Sequence, residues 1–358
     1  MGQNLLRKLE DFRLLPLFVI VSMAIGIFIG SVLSISDFAL TPPIEAIKSI
    51  VGGTFELSVP NAISLGVPLG LFLMMYPAMT NVHLGEVGSA FRSPRQLAVV
   101  LVFNYVIAPF LMFALANTFV ADPELRTGLI LYGLAPCIAM VIVFTYLAKG
   151  NTPMALVFVA LNSIVQMLLI PVYARLLIGD VSFDVLVVGE SVVLYLGLPL
   201  LLGMLTRMLV VRHGGEAAMD RLKPGLNALS ILGLLFTLIV MFSLKGDLIL
   251  ERPGIVLEMA IPMALFFGVM FFTVLFVGAG MRFSYRDGVA VAFNATGRDF
   301  EIAIAIAITA FSPTVALATV VGPLIEVPVM LFLVWAAMRL APRLFHSVVL
   351  ADAPVAAR

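Results

Sequence analysis

Apolar runs of about 20 residues recur from one end of this chain to the other. A helix rises 1.5 Å per residue, so about 20 residues are what it needs to cross the hydrocarbon core of a bilayer. Lipid offers the backbone no water to bond, so a spanning segment must pair its own amides and carbonyls, and here helices are the form that does so. Charge is scarce: 12% of the 358 residues are Asp, Glu, Lys or Arg, against roughly 25% in a soluble domain. A water-soluble fold could not cover these runs. The 21 basic and 21 acidic residues balance, which gives no basic patch for nucleic acid and no strongly charged partner. The single Cys137 excludes an intramolecular disulfide framework, and three scattered histidines form no zinc motif.

The first run, Leu14 to Ser34, follows Arg7, Lys8 and Arg13. It is too long for the apolar region of a signal peptide and no small-residue cleavage site follows, so it reads as a retained first span. Ten spans are expected, at about 14–34, 61–79, 97–119, 126–147, 154–177, 185–210, 226–245, 255–280, 287–309 and 314–340. The run Ile302–Ile308 alternates Ile with Ala like a strand, but both residue types are apolar, so the alternation carries no polar face. With the N-terminus inside, the inner segments hold 15 Lys and Arg. The outer ones hold five: Lys48, Arg126, Arg175, Lys245 and Arg252. This bias and the even span count put both termini in the cytoplasm.

Dividing the spans five and five makes the halves run in opposite directions. A shift of 160 residues places Arg126 on Arg286, Gly128 on Gly288, Ala135 on Ala295 and Pro153 on Pro313. The expected fold is therefore an all-α polytopic membrane protein, with ten transmembrane helices as two inverted five-helix repeats. Its parts are a cytoplasmic N-terminus (1–13), a first repeat (14–178), a second repeat (185–340) and a cytoplasmic tail (341–358). Inverted repeats mark secondary transporters, whose sites lie at the repeat interface, often on broken helices. Spans 4 and 9 both look broken. Span 4 carries Gly133 and Pro136-Cys137, and proline removes an amide donor and clashes with the preceding turn. Span 9 carries Asn294-Ala295-Thr296-Gly297-Arg298-Asp299-Phe300-Glu301, and three charges in four residues cannot face lipid cheaply. A cytoplasmic loop at that point is disfavoured, because 302–309 alone is too short to return across the membrane.

Cys137 is the most pointed candidate. A lone cysteine in an apolar helix is commonly a small hydrophobe, but this one adjoins a proline in the helix paired with the charged span, and sulfur suits soft thiophilic ions. Glu301 lies near mid-membrane, where a carboxylate is a functional candidate by default and can carry a proton; the rival is an ion pair with Arg298. Arg298 and Asp299 can equally pair with each other and leave Glu301 free. Glu326, within GPLIEVP, is a second intramembrane acid, able to act or to brace the neighbouring break. Asn104, Asn162, Ser163 and Gln166 add polar atoms to spans 3 and 5, and such residues often join helices. Asn162 and Gln166, four apart, share a helix face. Glu190 reads as interfacial; Tyr76, Tyr105 and Trp335 read as packing or interfacial residues.

Seven stretches together carry a resemblance: LMMYPAMTNV (73–82), NYVIAPFLMFALA (104–116), RTGLILYGLAPCIAMVIVFTYLAKG (126–150), VALNSIVQ (159–166), LLFTLIVMFSLKG (234–246), FEIAIAIAI (300–308) and ATVVGPLIEVPVM (318–330). The chain resembles the arsenical resistance-3 family of arsenite efflux permeases, in the bile acid/sodium symporter superfamily. The resemblance implies a panel domain from spans 1, 2, 6 and 7 and a core from the other six, with spans 4 and 9 crossing at their breaks. It places the family's functional cysteine on Cys137 and its span-9 glutamate on Glu301. Two positions depart from the pattern. Pro136 stands where the family usually has Arg, and Arg298-Asp299 stand where it usually has Asn-Asn. The simplest account is that one cation has moved across the crossing while staying near the site; a changed substrate is the rival. The usual Trp after Asn104 is here Tyr105.

The resemblance implies export of arsenite across the inner membrane, with antimonite as a related metalloid oxyacid. Neutral arsenite is mostly the uncharged trihydroxide, and one thiol cannot build a three-thiolate cage, so Cys137 would make only a transient arsenic contact. Glu301 would exchange proton for substrate in a proton antiport. Arg298, Asp299, Asn294, Asn104, Asn162, Gln166 and Glu326 complete the expected substrate or coupling set. No cofactor is implied and the sequence fixes no oligomeric state. The alternative is a sodium-coupled organic-anion transporter, with Asn162, Gln166, Asn294, Thr296 and Glu301 as oxygen ligands. An intramembrane enzyme is disfavoured, since the chain lacks HExxH, GxGD and a Ser/His pair within its spans.

Overall fold

Pro136 in one helix and the buried Arg298-Asp299 pair in another mark the two central breaks of this chain. The structure is a computed structural model that describes residues 15–33, 59–80, 92–138, 140–178, 185–251 and 253–345. Its helices are α1 (Leu15–Leu33), α2 (Val59–Thr80), α3 (Pro94–Phe119), α4 (Pro123–Leu134), α5 (Met140–Leu147) and α6 (Thr152–Leu177). They continue with α7 (Val185–Val192), α8 (Leu198–Glu251), α9 (Pro253–Gly280), α10 (Tyr285–Thr296), α11 (Phe300–Ala310), α12 (Pro313–Val320) and α13 (Gly322–Leu344). Each expected span finds helix, and the described residues contain no strand beyond one isolated bridge. Five segments are long and apolar enough to cross a membrane unaided: 94–119, 152–177, 185–243, 254–280 and 314–340. Large apolar side chains such as Phe28, Leu168 and Leu186 stand exposed on the outside. That surface belongs in lipid, and the protein is a multi-pass membrane protein.

Two details differ from the sequence expectation. The expected spans 6 and 7 are joined by continuing helix, interrupted at Gly215, whose φ of 66° turns the chain where an L side chain would be strained. The last span is divided between Val320 and Gly322. The termini, on which the orientation argument rests, lie outside the described residues.

Among the described residues, five helices start on side-chain caps. Asp122, Asn151, Ser284, Asp299 and Ser312 accept main-chain N–H groups at the starts of α4, α6, α10, α11 and α12. The cap satisfies donors the first turn cannot. Two π-helical turns share a sequence pattern, Tyr-x-x-x-Pro: Tyr105 to Pro109 within Phe103–Ile107 and beyond, and Tyr195 to Pro199 around Val193–Gly197. A proline lacks the N–H that would bond the carbonyl four residues earlier, and its ring crowds that carbonyl. The extra residue of a π turn relieves the crowding. At the first turn the freed Tyr105 carbonyl is met by the Tyr173 hydroxyl.

Helices α1 and α2 pack chiefly against α8, and the other helices gather around α4, α9 and α10. Apolar area cannot drive association among lipid tails, so close backbone approach through small residues does. A Cβ on Gly233 would lie 2.7 Å from the Met74 amide nitrogen, so α8 and α2 touch there only because that residue is glycine.

Candidate functional site

Two short extended segments meet at the buried centre of the fold. One joins α4 to α5 and the other joins α10 to α11, and Pro136 pairs antiparallel with Arg298. The Cys137 amide donates to the Gly297 carbonyl at 3.0 Å, and the Asp299 amide donates to the Ala135 carbonyl at 2.8 Å. These bonds flank the Pro136–Arg298 pair, so this bridge never asks Pro136 for the N–H it lacks. Gly297 is required here for space: a Cβ would overlap the Val141 side chain and sit 3.2 Å from the Cys137 Cβ. The broken helices thus cross at their breaks, as the resemblance implied, and the crossing satisfies backbone groups that lipid would leave bare.

The crossing brings together two helix C-termini, of α4 and α10, and two N-termini, of α5 and α11. Carbonyl ends carry partial negative charge and amide ends partial positive charge. The charged pair answers this polarity. The Arg298 guanidinium folds back on the carbonyl ends, with Nε donating to Thr296 O at 3.2 Å, Nη1 to Gly133 O at 3.4 Å and Nη2 to Ala295 O. Nη2 also reaches Asn104 Oδ1 at 2.8 Å, and the Phe266 ring lies under the guanidinium at 5.2 Å. Asp299 turns the other way and caps α11, its carboxylate accepting from the Ile302 amide at 3.1 Å.

Neither ion pair that the sequence left open is formed. Arg298 pairs with neither Asp299 nor Glu301; the ion pairs among the described residues are Arg207–Glu216 and Lys223–Asp220. The reason is geometric: the unmet carbonyls lie on one side of the crossing and the unmet amides on the other, and each charge goes to its own side. Glu301 sits in the first turn of α11, 4% exposed, with its carboxyl close enough to Asp299 to interact. Cys137 is buried within electrostatic range of Glu326, Asp299 and Glu301.

Glu326 braces the crossing from α13. Its carboxylate accepts the Arg298 amide at 3.3 Å and the Tyr132 hydroxyl at 2.6 Å. Asn104, on the first π turn, links Arg298 to α10 by donating Nδ2 to the Asn294 carbonyl at 3.1 Å. Asn162 joins through Tyr105, whose hydroxyl donates to the Asn162 carbonyl at 3.1 Å. The Gln166 side chain is buried on the same face of α6 but bonds to none of these groups; its amide, Asn162 Nδ2 and Asn294 Oδ1 find no partner among the described residues. Sequence reasoning passed over Tyr132, Phe266 and the bonding role of Tyr105, because each depends on contact between distant segments. Tyr132 and Glu326 are 194 positions apart.

A core of broken helices crossing at a buried, polar, charged centre is the architecture of a secondary transporter, and this protein is a transporter. A family model described as the sodium bile acid symporter family matches residues 68–252. The chain is 37% identical to "Arsenical-resistance protein Acr3" of Corynebacterium glutamicum, over 94% of its own length and 90% of the relative's. It is 33% identical to "Arsenical-resistance protein Acr3" of Alkaliphilus metalliredigens, over 76% of this chain and 81% of that one. A match at 33% identity, covering 90% of this chain and 87% of the relative, is "Uncharacterized transporter slr0944" of Synechocystis. The chain belongs to the sodium bile acid symporter family, in its arsenical-resistance branch.

Proposed function

We propose that the protein exports arsenite, and antimonite with it, across the inner membrane by proton antiport, and so confers arsenic resistance. The observation that carries this reading is Cys137 at the crossing, where the chain's one thiol sits among Arg298, Glu301 and Glu326. Two relatives, both named arsenical-resistance proteins, support the substrate. A soft sulfur can touch the arsenic centre, while the carboxylates and amides bond the hydroxyls of the neutral trihydroxide. A single thiol binds weakly, and weak binding suits a carrier that must release its cargo. Glu301 takes up a proton as substrate leaves and gives it up on the return.

Five-plus-five inverted repeats are part of the proposal, with both termini cytoplasmic. Support comes from the antiparallel bridge and from corresponding caps: Asp122 and Ser284 open α4 and α10, and Asn151 and Ser312 open α6 and α12. The core helices around the crossing rock against α1, α2 and α8 to switch access. The test is growth of an arsenite-sensitive, pump-deleted host expressing the chain, paired with arsenite uptake into everted vesicles. Resistance, with uptake abolished by a protonophore and indifferent to sodium, is the expected result. Uptake driven by a sodium gradient favours the organic-anion alternative on coupling, and an unchanged host sinks the substrate assignment.

A further inference from the structure

Four oxygen atoms from three helices converge on the Arg298 guanidinium: the carbonyls of Gly133, Ala295 and Thr296, and Asn104 Oδ1. The residue is 1% exposed, so the cradle is closed to bulk solvent. Phe266 closes the cradle with its ring face, an arrangement favourable to a cation. Carbonyl oxygens at unwound helix ends are what membrane carriers use to hold a desolvated monovalent cation. In this chain the cation that fills such a place is covalently attached.

We propose that Arg298 is a tethered counter-cation, which occupies an oxygen cradle that would otherwise call for a dissolved monovalent cation, so that the crossing holds its shape without sodium. The geometry explains why a guanidinium fits. Its N–H groups fan out in a plane, and Nε, Nη1 and Nη2 each serve different oxygens. The positive charge also stands against the carbonyl ends of α4 and α10, within electrostatic range of the Glu326 carboxylate. Removing the side chain strips several buried carbonyls of their donor and leaves Glu326 without that cation. Free guanidinium, planar and of matching size, is then the best replacement, with sodium a less complete one.

The inference rests on the transport reading only where it speaks of transport; the state of the cradle can be read without it. The test compares thermal melting of purified wild type, Arg298→Ala and Arg298→Lys in choline, sodium and low guanidinium chlorides at equal ionic strength. Wild type should melt at one temperature in choline and sodium, and so should Arg298→Lys, which keeps a tethered cation. Arg298→Ala should melt lower in choline and recover by about 2 °C or more with guanidinium or sodium, in a saturable way. Equal response of Arg298→Ala to all three salts, or to none, overturns the proposal. Should Arg298→Ala fail to fold in any salt, wild type decides: saturable sodium stabilisation refutes the proposal, and indifference upholds it. A parallel arsenite flux assay keeps the two readings apart. Wild type that moves no arsenite yet shows the expected melting pattern refutes the transport reading alone.

Discussion

Replacing Tyr132 by Phe removes one oxygen atom from the brace that holds the crossing. The hydroxyl donates to the buried Glu326 carboxylate at 2.6 Å, and that carboxylate has one other donor among the described residues, the Arg298 amide at 3.3 Å. The ring itself packs edge-on against Phe267, centroids 6.4 Å apart, and Phe preserves that contact. No cavity opens, so the loss is the hydrogen bond. Bonds to charged groups contribute about 1.5–3 kcal/mol. An unfolding entropy of about 2.1 cal/mol/K per residue, taken over the whole chain, gives roughly 0.75 kcal/mol/K, so the melting temperature should fall by about 2–4 °C. The drop is larger if only the core melts as a unit. The assay is built into the protein: Cys137 is its one cysteine, buried beside the bridge, so a dye that fluoresces on reacting with thiols reports opening of the crossing. Glu326→Leu should cost more than Tyr132→Phe, since it orphans two donors. The double variant should lose about 1 kcal/mol or more less than the sum of its parts, because the shared bond is counted once. Dye-detected melting of Tyr132→Phe at the wild-type temperature, or strictly additive losses, would show that Glu326 is not held by this bond.

Cys137→Ser should abolish or sharply reduce arsenite efflux at normal membrane level; full resistance in cells carrying the serine variant removes the thiol from the mechanism. Gly297→Ala should destabilise the crossing by about 1–3 kcal/mol, read as earlier dye labelling, since the added methyl meets Val141 and Cys137. Pro136→Arg alone should impair transport by setting a second cation beside Arg298, whereas its combination with Arg298→Asn and Asp299→Asn should recover much of the activity. Recovery no better than the additive expectation counts against the relocated cation. A reporter fused at residue 358 should be active in the cytoplasm; an external C-terminus means the span count is off.

Local composition and spacing are enough to place the helices and their breaks. Twenty-residue apolar runs define the helices because lipid forces each segment to satisfy its own backbone, so the ten expected spans are found as helix without knowledge of their neighbours. The two breaks were legible for the same reason: Pro136 and the cluster Arg298-Asp299-Glu301 violate rules that apply to a single helix. Even the π turns have a local cause in Tyr105 to Pro109 and Tyr195 to Pro199, though the carbonyl that the first exposes finds its donor, Tyr173, only in another helix. Partnership was the tertiary structure's to decide. From sequence, Arg298 had two nearby carboxylates to choose from, and proximity along the chain argued for an ion pair. In the fold, two helix ends separated by more than 150 positions present their bare carbonyls at one point, Gly133 from one and Thr296 from the other, and the guanidinium goes there. Asp299 goes to the amide end of α11 instead. A dipole's sign at a given place depends on which helix ends are brought together, and only the crossing of the two broken helices fixes that.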